Sequence, residues 1–393
     1  MRIGIIVPEF PSYTETFFLS QVKGLCERGH EVIVFCSHRN TDPVLEKNYA
    51  LKDHQNLRIV ELNIQTFGLT GLANIVLHPI TFFRGWKRKN SFRKSVYMQL
   101  CKLYLHKYQC SIYHFGYTGT TVSFLPLLSS LPGKLVVSCR GTAENVKAIA
   151  DPGRIVKLYE VFKLVDSIHC VSGDLARVIG RYGAPKHKIF INRPSIDVHY
   201  FKRQVPVPDR EVPLVLTVGR LVFQKGLVTG VLAIKRLVEK IPALQWVITG
   251  DGPDLEELVF HIHQLGLEQN ILLTGRKARK EVFDMYQQCD IFFLPSITEG
   301  IANVVLEAMS MELPVVSTNA GGLGEVIRNG ENGISCAVYD HVAMADALEL
   351  VCRDKELRRA LGREARKTIE LGHNLQKYID VYEEVYGKLA DSN

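Results

Sequence analysis

Glu299 and Glu307 are the first side chains whose types and spacing suggest chemistry. Glu299 lies in the turn after a short apolar run, and Glu307 lies eight residues later, about two turns into the helical pattern that begins at Ile301. An ionised carboxylate only accepts hydrogen bonds, so each glutamate could hold a pair of hydroxyl groups. Between them, the amides of Gly300, Ile301 and Ala302 at a helix N-terminus would attract a phosphate. The pattern suits a nucleotide sugar, although a glutamate in a helix is by itself more often a solvated surface residue.

Two cations follow an earlier apolar run in the same half of the chain. The sequence LTVGRLVFQKGL at 216–227 places Arg220 and Lys225 in the turn after a predicted strand. A guanidinium and an ammonium at this position would neutralise a diphosphate, on which negative charge develops as it leaves a sugar. Taken alone, an arginine and a lysine in a loop are equally well explained as solvated surface residues.

The segment 296–322 resembles the donor-binding segment of retaining family-4 glycosyltransferases, in which two glutamates are separated by seven residues. The likeness is carried by GIANVVLEAM and LPVVSTNAGG, and a second family motif is matched by Gly-Arg-Leu and Lys-Gly within 219–226. Met311 and Glu312 replace the small-Gly pair that usually precedes Leu-Pro in the family. The resemblance implies an α/β protein of GT-B fold, with two Rossmann-like doubly wound parallel-sheet domains facing across a cleft.

The resemblance also assigns roles to residues of this chain. His114, at the end of a first-half strand, matches a histidine near the transferred sugar, although a lone histidine there is more often a structural hydrogen-bonding residue. The implied catalytic set is His114, Glu299, Arg220 and Lys225, and the implied donor-binding set is Arg220, Lys225, Gly275, Arg276, Lys277, Glu299, Gly300, Ile301, Ala302, Asn303, Val304 and Glu307. Within these sets, Glu299 would hold sugar hydroxyls, Glu307 the ribose, and the two cations the diphosphate.

The acceptor side is assigned to the first half of the chain. After the first strand, PSYTETF resembles a Ser-Glu-Thr-Phe motif of exopolysaccharide and lipopolysaccharide members, which implies acceptor contacts for Ser12, Thr14, Glu15 and Thr16. From the residues alone, Thr14 or Thr16 could equally cap the following helix. Arg140 stands where a His-Gly pair is common in the family.

Apolar runs that alternate with helical stretches organise both halves. The chain has 393 residues, more than one hydrophobic core usually holds, so two domains are expected. Strands are predicted at 2–8, 31–37, 58–63, 111–115, 134–138, 167–171 and 188–192, and then at 214–218, 245–249, 270–274, 290–295, 314–318 and 334–338. This alternation is typical of parallel sheets covered by helices.

Domain boundaries follow from the same pattern. We predict an acceptor-binding domain at 1–192, a proline-rich linker at 193–213, a donor-binding domain at 214–370 and a C-terminal helix at 371–393, within a charged helical stretch from Glu349 to Leu389. In the resembling family such a helix crosses back onto the first domain.

No cofactor or metal ion is expected. The loop PEFPSYTET after the first strand contains no glycine, which excludes a dinucleotide-binding fingerprint. The sequence has no Asp-x-Asp at a strand end and no His/Cys/Asp cluster at metal spacing. With Arg220, Lys225 and a helix N-terminus opposing the diphosphate, a divalent metal would be redundant.

Charge is distributed unevenly along the chain. The net charge of +7 is the sum of +12 over residues 1–200 and −5 over the remainder, and no Asp or Glu occurs from Leu62 to Ala143. Within that region, the segment 80–95 places aromatic residues beside clustered cations, which favours an anionic membrane surface or a lipid-linked acceptor. A solvated helix face is nearly as good an explanation, and nucleic acid is the least favoured.

The expected compartment is the cytoplasm, with peripheral attachment to the inner face of the plasma membrane as an extension of that hypothesis. No apolar run is long enough to span a bilayer, and nine cysteines without close pairs fit reduced thiols.

These features predict a retaining hexosyltransferase that uses a nucleotide diphosphate sugar as co-substrate and a lipid-linked or polysaccharide acceptor of the cell surface. In such enzymes the leaving phosphate itself can take the acceptor proton. Two alternatives remain open. A non-hydrolysing sugar-nucleotide epimerase shares the architecture but needs an acid/base pair on the donor sugar, and a binding protein could use an inactive transferase fold.

Overall fold

Each half of the chain is built on a parallel β-sheet in the computed structural model. The structure describes residues 1–12, 15–43, 45, 51–62, 89–206 and 210–392, and of residues 89–96 it describes the backbone alone. Thr14 and segment 80–88 lie outside the described residues, so two of the predicted features are not covered. The chain divides into a first unit (Met1–Cys170, Ala176–Asn192 and Ile379–Asn393) and a second unit (Val171–Leu175 and Arg193–Tyr378). The predicted linker, 193–213, therefore groups with the second unit.

The first unit contains seven described strands. They are β1 (Arg2–Phe10), β2 (Glu31–Arg39), β3 (Leu57–Glu61), β4 (Ile112–Phe115), β5 (Lys134–Cys139), β6 (Ser167–Cys170) and β7 (Ile189–Ile191), in the sheet order β3-β2-β1-β4-β5-β6-β7. The described α-helices that begin in this half are α1 (Thr16–Glu27), α2 (Lys89–Tyr108), α3 (Thr118–Phe124), α4 (Ala148–Ala150), α5 (Pro152–Leu164) and α6 (Gly173–Arg181). All neighbouring strands pair in parallel.

The second unit contains six described strands. They are β8 (Leu214–Val218), β9 (Gln245–Thr249), β10 (Ile271–Leu273), β11 (Ile291–Leu294), β12 (Val315–Thr318) and β13 (Ile334–Cys336), in the order β10-β9-β8-β11-β12-β13, again all parallel. Its helices are α7 (Leu227–Val238), α8 (Leu255–Gln264), α9 (Arg279–Gln288), α10 (Asn303–Ser310), α11 (His341–Arg353) and α12 (Lys355–Gly372), followed by α13 (Leu375–Asp391), which groups with the first unit from Ile379 onward.

The strand orders explain why the apolar runs form parallel sheets and where a ligand would bind. Most strand residues are apolar and buried on both faces, as expected for parallel sheets covered by helices, and Trp246, Phe292 and Phe293 in the second unit are completely buried. In each sheet the order reverses direction once, between β1 and β4 and between β8 and β11. Ligands of doubly wound sheets bind outside the carboxyl ends of the strands at this reversal.

The predicted helical stretch from Glu349 to Leu389 is helical, and it is divided among α11, α12 and α13. Asp354 interrupts it as the N-cap of α12, where its carboxylate accepts the amide N–H of Leu357 at 2.8 Å. Asn374 precedes α13 and its side-chain oxygen accepts the amide N–H of Lys377 at 3.0 Å. Both residue types favour helix starts because they satisfy amides that have no partner within the helix.

All nine cysteines are buried and none forms a disulfide. Burial raises the pKa of the Cys36 and Cys101 thiols to about 12, so they stay protonated at neutral pH. In the part of the chain that the structure describes, no helix combines the length and the apolar character needed to cross a bilayer.

Glu312 occupies a backbone conformation that glycine normally supplies. Helix α10 ends in a Schellman motif, in which the amide of Leu313 donates to the Ala308 carbonyl at 3.0 Å and the amide of Glu312 donates to the Met309 carbonyl at 3.1 Å. The motif requires a left-handed residue, and Glu312 has φ +59°. The turn at the position where the family pattern has a small-Gly pair is therefore formed, but by a non-glycine residue.

Replacing Glu312 with glycine should stabilise the second unit by about 1 kcal/mol, because an L-residue costs about 1–2 kcal/mol in this conformation and the greater chain entropy of glycine offsets part of the gain. Urea unfolding of Glu312→Gly against wild type measures the change. Glu312→Ala is the matched control, since it removes the carboxylate and keeps the Cβ atom. Equal stability gains in both variants would attribute the effect to the lost charge and contradict the backbone explanation.

Candidate functional site

Two loops of the second unit meet at the reversal of its strand order. The first follows β8 and carries Arg220 and Lys225, and the second follows β11 and carries Glu299 and Gly300. The loops are joined by hydrogen bonds, because the amide of Ile297 donates to the Gln224 carbonyl at 2.7 Å. The four residues singled out from separate motifs therefore lie at one sheet edge.

Lys225 and Glu299 form an ion pair in this edge. The Lys225 Nζ atom lies 2.6 Å from Glu299 Oε1, and the two side chains are only 16% and 13% exposed. The hydroxyl of Ser296, a completely buried residue, donates to the same carboxylate oxygen at 2.8 Å. Glu299 is thus fixed by two donors on one oxygen. From the sequence, Lys225 and Glu299 were each expected to contact the ligand. Neither their pairing with each other nor the contact of Ser296 was predicted.

Helix α10 presents its N-terminus beside Glu299. It begins at Asn303, two residues later than the pattern predicted, with Ala302 as the N-cap and no side chain accepting from the first turn. Gly300, Ile301 and Ala302 are buried and lead into the helix, while Asn303 and Val304 are partly exposed. Amides of a first turn without a side-chain cap are suited to an anionic oxygen.

Gly321 and Gly322 hold the loop after β12 against this helix start. A Cβ atom on Gly321 would come within 2.1 Å of the Glu299 carbonyl oxygen, and one on Gly322 within 1.8 Å of the Gly300 carbonyl oxygen. Gly321 also has φ +54°. Both positions therefore require glycine, and the backbone of the carboxylate loop is positioned by this contact.

Glu307 lies on the first turns of α10 and is partly exposed. The buried Tyr286, on α9, donates its hydroxyl to Glu307 Oε2 at 2.9 Å. Burial raises the pKa of Glu307, while the Tyr286 hydroxyl and the positive charge of Arg279 act in the opposite direction. Like Ser296, Tyr286 was not predicted from the sequence as part of the site.

The remaining donor-side residues are accessible. Arg220 is exposed, and its side chain makes no hydrogen bond or ion pair with any residue that the structure describes. Gly275, Arg276 and Lys277 follow β10 and are exposed, and the Gly275 carbonyl accepts the amide of Gly250 at 3.0 Å. Because β10 is the edge strand of the sheet, these three residues flank the site and do not form its centre.

The acceptor-side residues that the structure describes lie at the corresponding edge of the first unit. Ser12 is buried, Glu15 is the N-cap residue of α1 without a side-chain cap bond, and Thr16 is the first residue of that helix, so Thr16 is not the cap. Arg140, after β5, donates its Nε–H to the Gly116 carbonyl at 3.1 Å. Its guanidinium carbon lies 4.1, 4.6 and 5.8 Å from the ring centroids of Phe17, Phe18 and Tyr117.

His114 does not project from the strand end, and this corrects the expectation that it faces an open site. The side chain is 1% exposed, and its Nε2 lies 2.8 Å from the Ser138 hydroxyl. Its Nδ1 contacts the hydroxyl of Tyr386, on α13, at 2.5 Å. Both ring nitrogens are therefore used inside the first unit. The reason is the C-terminal helix, which covers this part of the sheet with tyrosines.

A buried chain of polar groups continues from His114. Ser138 contacts His169 Nδ1 at 2.8 Å, and His169 Nε2 lies 2.8 Å from the Asn192 carbonyl oxygen. Burial lowers the pKa of His169 to about 3, assisted by the charge of Arg140, and burial followed by the neighbouring His169 lowers the pKa of His114. Both imidazoles are neutral at physiological pH, and this buried chain of hydrogen bonds has a structural role.

Comparison with known proteins gives matches over almost the whole chain. A family model described as Glycosyltransferase Family 4 matches residues 14–200, and one described as Glycosyl transferases group 1 matches residues 200–368. The putative colanic acid biosynthesis glycosyltransferase WcaL of Escherichia coli (strain K12) is 26% identical over 96% of this chain and 97% of its own length. The amylovoran biosynthesis glycosyltransferase AmsK of Erwinia amylovora is 27% identical over 88% of this chain and 90% of its own.

Solved structures share the fold. Anabaena Alr3699/HepE, in a crystal structure with UDP and glucose, superposes with a TM-score of 0.78 over 99% of this chain and 100% of its own, at 16% identity. The two parallel sheets are thus those of the GT-B fold. One family model matches each half of the chain, and the Lys225–Glu299 pair joins two motifs of the second half. The chain therefore belongs to the group 1 and family 4 glycosyltransferases.

Proposed function

We propose that this protein is a retaining hexosyltransferase that moves a sugar from a nucleotide diphosphate donor to a hydroxyl group of a lipid-linked or polysaccharide acceptor, in the biosynthesis of a cell-surface polysaccharide. The observation that carries the proposal is the Lys225–Glu299 ion pair beside the uncapped N-terminus of α10. Relatives named for colanic acid and amylovoran biosynthesis support the polysaccharide, and neighbours crystallised with UDP, with UDP and glucose, or with UDP-glucose support a nucleotide-sugar donor.

In this proposal each group at the second-unit edge has one role. Glu299 accepts hydrogen bonds from hydroxyls of the transferred sugar, and Glu307 accepts from the ribose. Lys225, Arg220 and the first amides of α10 hold the diphosphate. Lys225 has three donors, so it can keep its bond to Glu299 and still donate to a phosphate oxygen. The loop of Gly275, Arg276 and Lys277 lies on the side of the nucleobase.

The proposed reaction breaks the bond between the anomeric carbon and the diphosphate oxygen and forms a bond from that carbon to the acceptor oxygen on the same face. The proton of the acceptor hydroxyl passes to the departing diphosphate. The positive groups that face the diphosphate stabilise the charge that develops on it. No protein base is required, which agrees with the burial of His114 in a closed hydrogen-bond chain.

The acceptor is proposed to approach the first unit near Ser12, Thr14, Glu15, Thr16 and Arg140. A peripheral attachment to anionic membrane through the segment 80–95 is part of the proposal, and most of that segment lies outside the described residues. Pelleting with anionic vesicles at low salt tests it. A divalent metal is proposed to be unnecessary, because a guanidinium, an ammonium and helix amides already oppose the diphosphate, and full activity in a chelator tests this.

A nucleotide screen tests the function directly. UDP, GDP and ADP are added separately to the purified protein, and thermal unfolding is recorded with and without a chelator. At about 100 times its dissociation constant, the correct nucleotide should stabilise the fold by about 2.7 kcal/mol. The nucleotide sugar is then incubated without acceptor, where an epimerase would produce a new sugar nucleotide and a transferase would not. No shift with any of the three nucleotides would contradict the proposal.

A further inference from the structure

Tyr286 and Glu307 form a contact that the proposed reaction leaves unexplained. Tyr286 is completely buried, and its hydroxyl donates to Glu307 Oε2 at 2.9 Å and also lies 3.4 Å from the Val304 carbonyl oxygen. Among the described residues no hydrogen bond reaches Glu307 Oε1, and the glutamate side chain is partly exposed. One carboxylate oxygen is therefore fixed from inside the unit, and the other remains on the accessible side.

The charged and titratable groups around this pair all favour an ionised Glu307 with a protonated tyrosine. Arg279, at the start of α9, contributes positive charge, and its guanidinium carbon stacks 4.2 Å from the Tyr200 ring centroid. Burial and the nearby carboxylate raise the pKa of Tyr286 well above its ordinary value, so its hydroxyl remains a donor. The Cys289 thiol behind Tyr286 has a pKa raised to about 12 by burial and is neutral.

We infer that Tyr286 is a positioning residue for Glu307: it holds Oε2 so that Oε1 is presented to the ribose hydroxyls of the donor, and the pair thereby selects ribonucleotides over 2′-deoxyribonucleotides. This inference rests on the proposed function and adds its specificity. An ionised carboxylate has no donor of its own, so a ligand without the 2′-hydroxyl removes one of the donors that Oε1 would otherwise accept from.

The test compares Tyr286→Phe with wild type by titration calorimetry, using UDP, GDP, ADP and their 2′-deoxy forms between pH 5.5 and 8.5. Wild type should bind the preferred ribonucleotide about 10- to 100-fold more tightly than its 2′-deoxy form, because a hydrogen bond to a charged group is involved. In Tyr286→Phe the ribonucleotide should bind about tenfold more weakly, the 2′-deoxy form should bind as before, and kcat should change less than the donor KM.

The pH profile gives a second readout that a purely structural role would not move. Only the ionised carboxylate binds the hydroxyls, so ribonucleotide affinity is lost as the pH falls through the pKa of Glu307. The Tyr286 hydroxyl opposes the effect of burial on the pKa of Glu307. Without this hydroxyl the pKa should rise, so ribonucleotide affinity should be lost at a higher pH. Arg279→Gln should shift the profile in the same direction, since it removes the other influence that lowers the pKa.

Tyr113→Phe is the matched control, because Tyr113 is a buried tyrosine of the first unit whose hydroxyl donates to the Leu105 carbonyl at 2.7 Å. It should leave nucleotide affinity and its pH profile unchanged. An unaltered ribose preference and pH profile in Tyr286→Phe, with wild type binding normally, overturns the inference and leaves the proposed function standing. If wild type binds none of the three ribonucleotides, the proposed function itself is overturned.

Discussion

Glu299→Gln should lower the rate of sugar transfer by about two to three orders of magnitude while nucleoside diphosphate affinity stays within about threefold. The amide keeps the shape of the side chain and can still accept from the Ser296 hydroxyl. It loses the negative charge that orients Lys225 and that would grip the sugar hydroxyls most strongly as charge develops. Radiolabelled transfer assays give kcat, and calorimetry with the nucleotide gives the affinity.

The Lys225–Glu299 contact leads to a second prediction, on stability and on the rate of the double variant. Because the pair is largely buried, Lys225→Met and Glu299→Gln each leave one partner without its counter-charge, at a cost in stability of roughly 3 kcal/mol. The double variant should be no slower than the worse single variant, since residues that act as a unit are not additive. Glu331→Gln, which removes an exposed carboxylate paired with Arg328, is the control and should be silent. If the rate of the double variant were lowered by the product of the two single-variant factors, the two residues would be shown to act independently.

Much of the fold was predictable, because buried parallel strands are mostly apolar and form short apolar runs in the sequence. All thirteen predicted strands are present in the described residues, and β8 and β9 have the predicted limits at 214–218 and 245–249. The C-terminal stretch was predicted as helical and is helical, but its two breaks were not predicted, because charge-rich helices follow one another there with only one or two residues between them. Asp354 and Asn374 were the available signals, as both residue types favour the N-cap of a helix.

The residues of the second-unit site could be predicted from the sequence, but the contacts among them could not. Family motifs identified Lys225 and Glu299, but their pairing depends on β8 and β11 being neighbours in the sheet, and the two strands are separated by β9 and β10 in the chain. Ser296 and Tyr286 carry no signal of their own, because a serine in a turn and a tyrosine in an amphipathic helix are ordinary residues. Their roles appear once the carboxylates they contact are placed.

His114 shows the limit of reasoning from one strand. The end of β4 does lie at the predicted sheet edge, yet Tyr386, one of the residues that contact His114, comes from α13, more than two hundred residues later. One signal was available in the sequence. Tyr378, Tyr382 and Tyr386 recur every four residues, so they share one helix face. All three are buried, and a buried tyrosine hydroxyl usually finds a polar partner.

The first unit should lose stability on mild acidification because His114 and His169 are buried in a chain of hydrogen bonds. The Asn192 carbonyl can only accept, so His169 Nε2 carries the proton and Nδ1 accepts from the Ser138 hydroxyl. Ser138 in turn accepts from His114 Nε2, and His114 Nδ1 accepts from Tyr386. A second proton on either ring would place a donor against a donating hydroxyl and a charge in a buried site, which explains the direction of both pKa shifts.

The sign of the pH effect follows from the two states of the chain. Unfolded histidine has a pKa of about 6.5, whereas burial lowers the pKa of folded His169 to about 3 and that of His114 well below its ordinary value. Below about pH 6.5 the unfolded chain therefore binds protons that the folded chain does not. The free energy of unfolding is at its full value above this pH. Below it, His169 lowers the free energy of unfolding by about 1.4 kcal/mol per pH unit, or about 2 kcal/mol by pH 5, and the lowered pKa of His114 acts in the same direction.

Hydrogen exchange of β5 and β6 between pH 7.5 and 5.0, corrected for the intrinsic exchange rate, measures this loss within the first unit. His114→Gln and His169→Gln should each reduce the pH dependence by one proton, because glutamine does not ionise. His263→Gln, at an exposed histidine of the second unit, should leave it unchanged. Should either buried-site variant fail to fold, NMR titration of the wild-type imidazoles decides the matter: two rings that stay neutral down to pH 5 support the argument, and ordinary titration near pH 6.5 in the folded protein contradicts it.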